Sequence, residues 1–166
     1  MSSLVFQEIR EFRSLAYNAW GNYIPARKEG KNNIFMGYIG CQADKTNDAI
    51  DAMLDLINNM PKKSERMEVI RSSIIENSQS SKPNFRNLIS IVETWKQKGY
   101  KSDPNEILLE KYKEMNFEDI VNFYKSEIQN KPLIITIVGD VKSFDLKKLE
   151  KYGEVIKVKK SKLFVN

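Results

Sequence analysis

The sequence predicts an α+β fold, with one antiparallel or mixed sheet and helices packed on one of its faces. Three observations carry that expectation. Residues 15–24 and 33–42 are rich in aromatic and aliphatic side chains and poor in charge, as strands are, and the polar stretch between them contains Gly30, as a longer hairpin connection should. Several other stretches repeat apolar residues at helical spacing. The run Leu133 to Val138 is apolar without alternation, which fits a strand buried on both faces.

In chain order, residues 3–13 read as a short amphipathic helix, capped by Ser2 or Ser3, with Leu4, Val5, Ile9 and Phe12 as its apolar stripe. The two strands follow, joined by residues 25–32. Residues 46–60 place Ala49, Ile50, Met53, Leu54 and Ile57 on one helical face, and Pro61 marks the stop. A helix is expected from Ser64 to about Asn77, and the polar stretch 78–83 breaks it. Asn84 then caps a helix carrying Phe85, Leu88, Ile89, Val92 and Trp95, which Gly99 closes. Asp103 and Pro104 occupy the favoured cap and first-turn positions of the next helix. Asn116 with Asp119 has the pattern of a capping box for a helix reaching Gln129. After the strand at 133–138, Gly139 and Asp140 end the run; a short helix over 144–152 and an edge strand over 154–159 complete the chain.

A length of 166 residues suits one domain spanning 1–166, with 41% hydrophobic and 30% charged residues giving the balance of a packed globular protein. No stretch approaches the roughly 18 consecutive apolar residues of a membrane span, and no basic-then-apolar leader opens the chain, so no membrane association is expected. The native compartment stays open. The net charge of +5 raises the question of an acidic partner. Yet lysines are interspersed with acidic residues along the helices, and the one dense group, Lys157, Lys159, Lys160 and Lys162, reads as a solvated edge. Cys41 lies in an apolar run and reads as a structural thiol. Gly139 is a lone glycine after the run at 133–138, which is too little for a phosphate-binding loop.

The most informative count is zero histidine. Hydrolytic zinc centres rely on imidazole ligands, and serine or cysteine nucleophiles on an imidazole base, so neither route is open to this chain alone. No catalytic residue and no metal ligand is assigned, and no cofactor is expected in the chain itself.

The segment Leu4-Val-Phe-Gln-Glu-Ile-Arg-Glu-Phe-Arg-Ser-Leu-Ala-Tyr17 resembles the helix-to-strand junction in the C-terminal half of pitrilysin/insulinase-type zinc peptidases, where Glu-Ile-Arg-Glu is followed by Gly-Leu-Ala-Tyr. The late segment Phe117-Glu-Asp-Ile-Val-Asn-Phe123, the ending Ile137-Val-Gly-Asp140 and the stretch Leu146-Lys-Lys-Leu-Glu-Lys-Tyr-Gly153 fall in that family's order, so the resemblance covers essentially the whole chain. It implies the half-domain of pitrilysin and the processing peptidases, a sheet with helices on one face. It also implies that zinc sits in a separate N-terminal half bearing His-x-x-Glu-His and a further glutamate. By the same pattern, Arg10 and Tyr17 are the residues that reach the peptide substrate, holding its backbone and stabilising the oxyanion. Ser14 stands where the family usually has glycine, which bears on the turn that aims Tyr17. The match begins in mid-domain, so an incomplete domain with an open apolar sheet edge is expected, prone to pairing with itself or with a partner.

Three functions are thus weighed: the non-catalytic C-terminal segment of a zinc metalloendopeptidase, an inactive structural or assembly subunit of the same family, and a basic nucleic-acid binder stacking bases on Arg10, Tyr17, Trp20 and Tyr23. The last lacks an aromatic RNA-binding signature and an alternation of basic and aromatic residues on one face, so no nucleic acid is expected. The expected partners are the zinc-binding half and peptide substrates.

Overall fold

The computed structural model describes residue 9 and residues 16–143 and 145–162. The architecture is α+β: a two-stranded antiparallel sheet and, among the described residues, six α-helices with short 3-10 turns between them. The strands are β1, Asn18–Ile24, and β2, Ile34–Gly40. The helices are α1, Thr46–Asn58; α2, Met67–Ser80; α3, Leu88–Gln97; α4, Pro104–Glu114; α5, Phe117–Glu127; and α6, Leu146–Leu149. None of these is long and apolar enough to cross a membrane.

The hairpin sits where aromatic and aliphatic content places it. Its register pairs Trp20 with Tyr38, Gly21 with Gly37 and Tyr23 with Phe35. Because successive side chains of a strand point to opposite faces, this register divides the hairpin into two faces of different fate. Ala19, Tyr23, Phe35 and Ile39 turn toward the helices. Ala19 packs with Ile9 and Leu56, and Tyr23 and Phe35 pack against the cluster of Ile57, Tyr124 and Ile128. Met53 of α1 touches both clusters and fits over Gly37, where a Cβ would stand 3.1 Å from its Cε. Tyr23 is fastened to α5 by an edge contact with the Phe123 ring at 4.8 Å and by a hydroxyl donated to Glu127 Oε2 at 2.7 Å. Among the described residues no helix covers the opposite face: Ile24, Ile34, Met36 and Tyr38 are exposed, and Trp20 stacks on Tyr38 with ring centroids 5.6 Å apart.

The helix signals act where the sequence puts them. In α1 the buried residues are Ala49, Ala52, Leu56 and Ile57, so the stripe is rotated from the expected one and takes Ala52 and Leu56 in place of Ile50 and Leu54. Helix α2 runs three residues past the expected end, and in its last turn Ser80 Oγ donates back to Glu76 O at 2.7 Å. Asn84 caps the turn before α3, and α3 ends with Gly99 at φ +83°, Tyr100 N–H donating to Trp95 O and Gly99 N–H to Lys96 O, the paired bonds of a glycine-terminated helix. Asp103 Oδ1 accepts from Asn105 N–H ahead of α4. Asn116 and Asp119 exchange side-chain and backbone bonds ahead of α5, a complete capping box. Arg71 of α2 donates Nε and Nη2 to Met115 O, at 3.1 and 2.6 Å, tying α2 to the end of α4.

Two expected strands are absent. Residues 131–138 carry no strand, and Ile134 and Val138 are each 94% exposed. Residues 154–159 are likewise unpaired, with Ile156 and Val158 exposed. A strand persists only where a neighbour takes up its backbone donors and acceptors, and a run apolar on both faces needs neighbours and layers on both sides. Among the described residues the only sheet is β1 with β2. The last expected helix is shorter than 144–152: α6 passes into a 3-10 turn, Glu150–Tyr152. The expected helix over 3–13 lies outside the described residues apart from Ile9.

Candidate functional site

Of the two residues expected to meet substrate, Tyr17 is described and Arg10 lies outside the described residues. Tyr17 directly precedes β1, and its backbone N–H donates to Gly40 O at 2.8 Å, extending the hairpin ladder by one bond. This fixes the Tyr17 backbone while its side chain stays 74% exposed. The phenol oxygen accepts from Gln42 Nε2 at 3.2 Å. A phenol that accepts from an amide keeps its own O–H proton available, so Tyr17 can donate to an oxygen brought up from solvent. Ile9, the sequence neighbour of Arg10, is fully buried, and Ala16, the sequence neighbour of Tyr17, packs against the same cluster.

Gln42 was not singled out by the sequence. Its signal was the hairpin itself: antiparallel pairing at the open end of β1 and β2 brings the residues just outside Asn18 and Gly40 together. A second group was equally hidden. Lys151 Nζ donates to both Asp51 carboxylate oxygens, at 2.8 and 3.0 Å, and the Tyr152 hydroxyl donates to Asp51 Oδ1 at 2.8 Å. These residues are about a hundred positions apart in sequence, and no local pattern could join them. The Lys151 ammonium holds the Asp51 carboxyl below its ordinary value, partial burial opposing and the Tyr152 hydroxyl assisting. The Tyr152 phenol is pushed up, first by burial. The group fastens the turn after α6 to α1.

Cys41 is half-buried, and burial pushes its thiol up, the Thr46 hydroxyl opposing and the Asp44 charge adding. A thiol held protonated is a poor nucleophile and ligand, in keeping with a packing role. Among the described residues no group of three or more His, Cys, Asp and Glu could hold a metal ion. With no histidine anywhere in the chain, the donor set does not fit a hydrolytic zinc centre. The chemistry the hairpin can offer is hydrogen-bond donation from Tyr17 at its open end and contact with apolar groups on its outer face. No family model matches the chain, and neither a curated protein nor a solved structure matches it.

Proposed function

We propose that the chain is the non-catalytic, substrate-holding C-terminal segment of a zinc metalloendopeptidase of the pitrilysin/insulinase type. The reading starts from the Leu4 to Tyr17 motif. The observation that supports it is an exposed Tyr17 hydroxyl, free to donate, whose sequence neighbour Ala16 packs against the cluster that holds Ile9, the neighbour of Arg10.

In such an enzyme the zinc, held by another part of the protein, supplies the activated water. Attack on a peptide carbonyl places negative charge on its oxygen, and a phenol O–H held by Gln42 and by the hairpin backbone stabilises that charge where it develops. Arg10 suits the peptide backbone, because its guanidinium donates several bonds in a fixed fork and never loses its charge. The chain alone is expected to hold no zinc and cleave nothing. Mixed with the half bearing His-x-x-Glu-His, it is expected to restore hydrolysis of an internally quenched peptide, with Tyr17→Phe and Arg10→Ala each lowering kcat by about a hundredfold to a thousandfold. Wild-type rates in both variants would remove the assigned roles.

The uncovered aromatic face of the hairpin favours a second reading, a structural or assembly subunit without peptidase activity. Stable complex formation with the zinc half and no gain of cleavage would select it.

A further inference from the structure

The loop between β1 and β2 and the helices α3 and α4 border an open cleft of about 580 Å³. That lies within the range of sites for small ligands and peptide side chains, roughly 300–1,000 Å³. Half-buried Ile91, Trp95 and Leu108 supply apolar walls, and Lys28, Lys31 and Lys98 stand in the same lining. None of the three lysines makes an ion pair with a described residue. The single carboxylate in the lining, Glu29, is set against the end of α3: a Cβ on Gly99 would lie 2.7 Å from its Oε2, and its backbone N–H donates to Gln97 O at 3.0 Å. A carboxylate gains nothing from the negative end of a helix dipole, so the docking of the loop, not charge, keeps it there. The cleft therefore sets three cations that no described residue pairs, and one anion, around an apolar interior.

We infer that this cleft binds an acidic, amphipathic peptide segment, one apolar side chain entering against Ile91, Trp95 and Leu108 and flanking carboxylates meeting Lys28, Lys31 and Lys98. Lysine is a compact point charge on a flexible stem, suited to carboxylates of variable placement. The apolar walls then separate an acidic peptide that carries an apolar residue from one that does not. The site lies on other elements than Tyr17 and does not rest on the peptidase reading.

The chain has two tryptophans, Trp20 and Trp95. In the full chain carrying Trp20→Phe, Trp95 emission reports on the cleft alone. A leucine peptide flanked by glutamates is expected to give a saturable change. The lysine-flanked counterpart and a glutamate-serine peptide without leucine are expected to give none. Lys28→Glu with Lys98→Glu should weaken binding by about tenfold or more, since each exposed pair contributes up to ~1 kcal/mol and 1.4 kcal/mol is tenfold. Lys31→Ala on the exposed loop, a milder change, should weaken it by a few-fold, far-UV circular dichroism staying that of the parent. No saturable response, equal binding of the lysine-flanked peptide, equal affinity in all lysine variants, or binding of anionic vesicles without binding of the peptide would each overturn the inference. The measurement uses this chain alone, so its failure is separate from a failure to restore cleavage.

Discussion

Asp51 shows how much a single titrating residue contributes to this fold, and in which direction. Its carboxyl sits below the ordinary value because Lys151 donates to it. A depressed folded-state value means that the contribution is present above the unfolded value, near 3.9, and is lost as the pH falls through the folded one. The Lys151 ammonium is shifted the opposite way, upward, chiefly by the same carboxylate. Its contribution is present below the unfolded lysine value, near 10.4, and fades as the pH rises past it. The pair is about half exposed on each side, so the effect is small and screened by salt. Asp51→Asn is expected to lower Tm at pH 7 and low salt, the difference from the parent starting to decline below about pH 4, being lost as the pH falls through the lower folded-state value, and shrinking in high salt. A pH-independent Tm difference would show that packing of Tyr152, not charge, holds this contact.

Among elements, the helix ends carry the sharpest expectations. Gly99 stands at φ +83° with the Glu29 carboxylate in the space a Cβ would take. Gly99→Ala is expected to destabilise by about 1–2 kcal/mol from the left-handed backbone, with a further cost from moving Glu29. Chemical denaturation of Gly99→Ala, alone and with Glu29→Ala, separates the two: relief in the double variant should be partial, because the backbone strain remains. Asn116→Ala removes half of the capping box and should cost about 1 kcal/mol. Arg71→Ala leaves Met115 O without its two guanidinium donors and should cost about 1.5–3 kcal/mol, the range for hydrogen bonds to charged groups. These ends were legible in the sequence because each is a local device: Gly99, Asp103 with Pro104, and Asn116 with Asp119 fix their own backbone within one turn. Arg71 was not legible, since its partner is a carbonyl 44 positions away. Nor was the rotation of the α1 stripe toward Ala52 and Leu56, which depends on where the hairpin and Ile9 lie.

For the molecule as a whole, the hairpin and the order of the helices could be read from residue pattern, and the remainder of the sheet could not. Periodicity reports what a segment is suited to, and Leu133 to Val138 is suited to being a strand; pairing depends on a neighbour, which no periodicity specifies. The same holds at the candidate site, where Tyr17 was singled out by the motif but Gln42 emerges only from the register. Strands β1 and β2 contain no charged residue and no proline, so their free edges lack the features that discourage pairing with another chain. With Ile134 and Val138 fully presented and the Trp20 and Tyr38 face uncovered, the isolated chain is expected to self-associate at high concentration, as judged by light scattering. Ile134→Lys with Val138→Lys should shift it toward monomer without altering far-UV circular dichroism, because neither side chain packs against the described fold. Under the proposed function, a zinc-bearing half that covers the same surfaces should suppress association of the parent chain in proportion to the complex formed. A parent chain that stays monomeric at millimolar concentration would mean that the twist of a two-stranded ribbon alone is enough to keep these edges apart.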